Sequence, residues 1–183
     1  MKNIKIYTTL LFFSFSITNA VAQTKPASAD VIIKNAIAEA AKTHKNVFVI
    51  FHASWCGWCH KMDNAMNDGE MKPFFNNNYV IVHLTVDESK DKKNLENPGA
   101  NELLQKYHGE NQGIPYWFIL NSRGNFLADS RKPDDKTPGK LRSVGCPAEK
   151  DEVGYFVNVL KKTSSLNDDQ LALIQQRFLK NKE

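Results

Sequence analysis

The fold is decided by the stretch Val47-Phe48-Val49-Ile50-Phe51, followed after His52-Ala53 by Ser54-Trp55-Cys56-Gly57-Trp58-Cys59-His60-Lys61. The first five residues are apolar, β-branched and aromatic, which suits a buried central strand better than a half-exposed one. Two cysteines three apart come directly after it. If Cys56 caps a helix that starts there, unpaired backbone N–H groups point towards its sulfur. Together with the positive end of the helix dipole they favour the thiolate. Cys59 then lies one helical turn further on, where it can displace whatever Cys56 has captured.

Residues 56–60 admit three chemistries. A C-x-x-C near alternating strands and helices reads as a redox pair, and C-x-x-C-H is also the attachment signature of c-type haem. The third is half of a zinc site. Its other ligands would have to come from Cys146, His44, His52, His83 or His108, which show no paired spacing.

Residues 1–22 read as a secretory signal peptide: Lys2 and Lys5 form a basic start, residues 6–17 are largely apolar, and Ala20-Val21-Ala22 offers an A-x-A cleavage site. The apolar segment is short for a membrane span and is interrupted by Thr and Ser. No cysteine follows it directly to carry a lipid. The expectation is cleavage after Ala22, an exported product in the periplasm or secreted, and no stable membrane insertion. The formal charge of +4 falls by the two signal lysines to +2, because residues 1–22 hold no acid. That is too slight to imply nucleic acid or a membrane surface as partner. Three cysteines in an exported chain do not make a disulfide scaffold, so the close pair points to activity.

A length of 183 residues, 42% hydrophobic and 24% charged, fits one globular domain with a short extension. Residues 23–29 read as a flexible lead-in to a domain over 30–183. Asp30 is expected to cap a helix with Ile33, Ala36, Ile37 and Ala40 on one face. After the cysteines a helix continues through Met62 and Met66 to a break at Gly69, and a short helix follows around Pro73. Residues 79–86 form a second strand and lead into a charged loop. Leu103, Leu104 and Tyr107 mark a helix that Gly109 stops. Residues 116–120 form a third strand, joined by the turn 121–125 to a fourth at 126–128. Residues 131–140 read as loop. Val153, Phe156, Val157 and Leu160 repeat helical spacing, and an appended helix (166–180) starts at Asn167 with Gln170 completing a capping box. This order predicts an α/β fold: a mainly parallel sheet with right-handed crossovers, made mixed by the antiparallel hairpin and flanked by helices. A small c-type cytochrome would be mostly helical, so the order favours redox over haem.

These residues resemble the thioredoxin superfamily, and are most similar to exported bacterial thioredoxin-like proteins with a W-C-x-x-C-[HK] site. The likeness rests on residues 51–59, on Gly113-Ile114-Pro115 and on the Ile119-Leu120…Gly124 hairpin, and covers roughly residues 30–162. It implies a thioredoxin fold with an extra C-terminal helix. Cys56 would be the exposed nucleophile and Cys59 the resolving thiol of a redox-active disulfide. Pro115 would be cis and face the sulfurs, and Ile114 would offer backbone groups to an extended substrate. Two positions depart from the family pattern: Ile50 stands where a buried acid is usual, and Trp58 replaces a common proline. Trp58 then presents either an apolar surface to a partner or a lid over the rim.

The remaining candidates have bland readings beside sharper ones. His60 either stabilises the Cys56 thiolate when protonated or is held by local polar groups. Trp55 packs beside the site. Cys146 is either a small residue before a core helix or a third redox thiol. Asp63 and Asp87 read as solvated or capping groups, and Met62 and Met66 as core. The functional expectation is an exported disulfide oxidoreductase acting on protein disulfides, with a thiol partner as electron donor or acceptor. It needs no metal or organic cofactor, and the reductase direction is favoured. The alternative is a redox-inert thioredoxin-fold module that binds clients.

Overall fold

The computed structural model describes residues 25–183; the signal-peptide reading, residues 1–22, lies outside the described residues. Helix α1 spans Ala29–Thr43 and is capped by the Ser28 side chain, which accepts from the Val31 N–H. The cap is therefore Ser28 and not Asp30, which sits in the first turn, where its charge favours the helix dipole. Ala29 is buried and its N–H donates to the Pro98 carbonyl at 2.8 Å, which anchors the start of the helix.

Strand β1 (Asn46–His52) is the second-position strand of a four-stranded sheet ordered β2-β1-β3-β4, with β2 at Tyr79–Thr85, β3 at Tyr116–Leu120 and β4 at Phe126–Asp129. β1 and β2 are parallel, whereas β1 and β3, and β3 and β4, are antiparallel. The sheet is mixed, as expected, but not mainly parallel. The reason lies in the connection between β2 and β3, which contains one seven-residue helix, α4 (Ala100–Lys106). β2 ends beside His52, and the connection returns the chain at Ile114, near Cys56, which is the same end of the sheet. A strand that starts there can only run back against β1.

Alternation along β1 and β3 builds two cores. Phe48, Ile50, Trp117 and Ile119 face α2 (Gly57–Asn67), α3 (Lys72–Asn78), α5 (Lys150–Thr163) and α6 (Asp168–Leu179). Val47, Val49, Phe51, Tyr116 and Phe118 face α1 and α4. Met62 and Met66 are core residues on α2. The α6 capping box forms between Asn167 and Gln170, and Phe178 packs 4.7 Å from Phe156, ring to ring.

Two further details differ from the sequence reading. α4 ends before Gly109: the left-handed residue is His108, and Gly109 is needed for space, since a Cβ there would collide with Leu104 and Tyr116. Residues 131–140 are not all loop. β5 (Arg131–Pro133) pairs antiparallel with β6 (Leu141–Ser143). These short strands lack apolar alternation and are fixed by polar contacts instead, such as the Ser130–Ser143 hydroxyl pair at 2.8 Å and Arg131 on the Asp129 carboxylate. The hairpin delivers Val144-Gly145-Cys146 to the site.

Candidate active site

Cys56 is the N-cap of α2, and its Sγ accepts the Cys59 N–H at 3.1 Å. The strand, the link Ala53-Ser54-Trp55 and the helix start place the sulfur at the positive end of an eleven-residue helix. Cys56 and Cys59 are joined as a disulfide. Gly113, at a φ of 75°, makes the left-handed turn that brings in Ile114 and Pro115, and the Ile114–Pro115 peptide is cis. The Ile114 carbonyl oxygen lies 3.7 Å from Cys56 Sγ. In the disulfide that sulfur has no proton to donate, so this is a van der Waals approach. Cys56, Cys59, Ala53 and Ile114 form one small apolar cluster.

The exposure of Cys56 differs from the expectation of an open nucleophile. It is 3% exposed against 1% for Cys59. Ala53 and Ile114 cover both, and the exposed surface belongs to Trp55 (60%) and Trp58 (49%). Trp55 lies beside the site with Nε1 donating to the Asp87 carbonyl at 2.8 Å. The Lys61 ammonium sits 5.0 Å from the Trp58 ring centroid. His60 Nε2 pairs at 3.1 Å with the Ser54 carbonyl, which only accepts, so that nitrogen carries the proton and the ring is held locally. A haem bonded to both sulfurs does not fit here: Cys59 is enclosed by packing, and the His60 ring is already engaged.

Ser54, two residues before Cys56, is fixed by Glu88: its N–H donates to Oε1 at 2.6 Å and its hydroxyl to Oε2 at 2.8 Å. Burial opposes ionisation of Glu88, but these two hydrogen bonds, with Lys92 and His52 nearby, hold its carboxyl below the ordinary carboxylate range. On the α2-facing side of β1, the His52 ring lies 5.0 Å from that of His83, which binds Asp63 on α2 at 2.8 Å. Burial, then the neighbouring His83, lower the His52 pKa. Asp63 is thus a hydrogen-bond partner of His83 and not a solvated acid. Ile50 is buried, as its apolar side chain requires.

Cys146 is buried and unpaired. Burial pushes its thiol up to about 12, and Asn181 Nδ2 lies 3.3 Å from its sulfur. The neighbouring Gly145 carbonyl accepts from Trp117 Nε1 at 2.9 Å, and the Gly145 backbone packs against Pro115. A groove of about 340 Å³ runs between this loop, Pro115 and Trp58. Glu88 and Asn181 were not among the sequence candidates. The contacts that bring them to the site, Glu88 with Ser54 and Asn181 with Cys146, span 34 and 35 residues, beyond any local spacing signal.

A mixed sheet with helices on both faces, with a Cys-x-x-Cys disulfide capping a helix beside a cis-proline, defines a thioredoxin fold with a redox-type cysteine pair. Residues 32–122 match the family model described as thioredoxin-like, and over that span the chain carries a thioredoxin-like domain. It is 27% identical over 109 residues to protein disulfide-isomerase A5 of Bos taurus, an alignment that spans 53% of this chain and 19% of that protein. Among solved structures, the disulphide isomerase of Xylella fastidiosa Temecula1 is similar at a TM-score of 0.49 and 23% identity, covering 88% of this chain and 100% of that one. The oxidised C-terminal domain of Neisseria meningitidis DsbD is similar at 0.41 and 20%, covering 73% and 98%.

Proposed function

We propose that the protein is an exported thiol–disulfide oxidoreductase that reduces disulfides in protein substrates. The observation that carries this reading is the Cys56 sulfur at the start of α2, accepting the Cys59 N–H and lying against Ile114 and Pro115. In the reduced protein the Cys56 thiolate attacks one sulfur of a substrate disulfide. A mixed disulfide forms and the other substrate sulfur leaves as a thiolate. Cys59 then gives up its proton and attacks Cys56 Sγ, which forms the Cys56–Cys59 disulfide and releases the second substrate thiolate. Two electrons pass to the substrate, and a thiol partner restores the dithiol. Ile114 presents its backbone, and Trp58 and Pro115 an apolar surface, to the substrate segment beside the disulfide. Residues 1–22 act as the cleaved export signal. The relative named a disulfide isomerase supports thiol exchange as the chemistry.

The near-complete enclosure of both cysteines favours one other reading, a thioredoxin-fold module that binds clients without exchanging electrons. Insulin reduction separates the two. Equal rates for the mature protein and Cys56→Ser would leave only the binding module. The direction is measured by equilibrating the pair with a glutathione buffer: a potential near about −270 mV marks a reductase, and one near about −120 mV a donor of disulfides.

A further inference from the structure

We propose that Asn181 is a positioning residue for this site: it ties together the two walls of the groove beside the disulfide, and so governs the binding of peptide segments there. The proposal rests on the oxidoreductase reading above. Asn181 lies in the 3-10 turn Lys180–Lys182 after α6 and is only 4% exposed despite its polar side chain. Its hydrogen-bonding groups reach different parts of the site. Its main-chain carbonyl oxygen accepts from Lys61 Nζ at 2.7 Å, and that ammonium lies over the Trp58 ring. Its Nδ2 donates to the Pro147 carbonyl at 3.2 Å and approaches Cys146 Sγ. Its Oδ1 accepts from Arg177 at 3.1 Å, and Arg177 in turn binds Asp68, just past the end of α2.

One wall of the groove is thus Trp58, held through Lys61 by a cation–π contact. The other is Gly145 and Cys146, held through Pro147. Pro115 and Ile114 lie between them, and Lys182 borders the groove with its ammonium 2.9 Å from Glu149. The main-chain carbonyl and the buried side-chain amide of this one residue together hold both walls in one geometry. Removing the amide leaves the Pro147 carbonyl unpaired in a buried setting. An extended peptide flanking a disulfide must lie against both walls. A small disulfide such as oxidised glutathione reaches the sulfur without them.

The test measures KM and kcat for a disulfide-bridged peptide and for oxidised glutathione in wild type, Asn181→Ala and Lys61→Met. Asn181→Ala releases the Cys146 loop and Lys61→Met releases Trp58; Lys61→Met also covers the case in which Asn181→Ala does not fold. In both variants the peptide KM is expected to rise about fivefold or more while kcat stays within about twofold, the signature of lost binding and not lost chemistry. Lys61→Arg, which keeps a cation and its reach, should restore the peptide KM to within about twofold. Equal shifts for both substrates, unchanged KM values, or a loss confined to kcat would overturn the positioning role. Absence of Cys56-dependent turnover of either disulfide by the wild type is a separate result, and it removes the oxidoreductase reading on which the proposal stands.

Discussion

Glu88 grips Ser54 with both carboxylate oxygens, at 2.6 Å to the N–H and 2.8 Å to the hydroxyl, and so fixes the backbone two residues before Cys56 from a loop beyond β2. A charged acceptor is worth about 1.5–3 kcal/mol per hydrogen bond, so Glu88→Ala, which removes two, should destabilise the domain by about 3 kcal/mol or more in urea titration. The folded pKa is lowered. The unfolded chain therefore takes up the proton first, and the contribution is complete above the ordinary value of 4.5 and lost as pH falls through the folded value. The stability gap between wild type and Glu88→Gln should narrow with acid below that point. A gap independent of pH would show that the charge of Glu88 is not what holds Ser54.

His52 is expected to titrate in the folded protein below its ordinary value of 6.5, because burial and His83 both disfavour the imidazolium. Asp63, and Glu88 beyond it, oppose this, and His60 adds to it. The unfolded chain then binds the proton at higher pH than the folded one. His52 accordingly contributes stability above 6.5, and this is lost as pH falls through the folded value. NMR titration of the His52 ring protons gives the midpoint directly. A midpoint above 6.5 would mean that the Asp63 side of the cluster dominates.

What the sequence made legible was local. Short continuous apolar runs located β1, β2 and β3, and the Asn167–Gln170 box located α6, because strands and caps are set by neighbours within a few residues. The cysteine pair was readable for the same reason. Strand direction, the β5–β6 hairpin, and the roles of Glu88 and Asn181 are fixed by contacts across the fold. Ser54 meets Glu88, and Lys61 meets Asn181 120 residues on, only after the sheet has formed. The enclosure of Cys56 is of this kind too. Its cover, Ile114, comes from a turn 58 residues downstream.

α6 belongs to the core and is not a loose addition: Phe178 is fully buried against Phe156 and Phe75, with ring centroids 4.7 and 6.2 Å apart. Phe178→Ala should cost about 3–5 kcal/mol by thermal or chemical denaturation, in a single transition shared with the whole domain. A cost under about 1 kcal/mol, or a separate early transition, would show that α6 folds on its own terms.

The order of the two thiols is tested by trapping. If Cys56 is the attacking sulfur and Cys59 the resolving one, Cys59→Ser leaves each mixed disulfide without its internal exit, since a hydroxyl in place of the resolving thiol cannot displace the substrate from Cys56 Sγ. The reduced variant, mixed with a disulfide-bonded protein such as insulin, should accumulate a covalent complex visible on a non-reducing gel and lost on adding dithiothreitol. Cys56→Ser should give none, because the start of α2 is aimed at the sulfur of position 56 and favours a thiolate there, not at Cys59. Cys146 does not confuse the result: its thiol is buried and held protonated, with a pKa of about 12, so it offers almost no thiolate near neutral pH. Complexes that form with Cys56→Ser and not with Cys59→Ser would reverse the assignment.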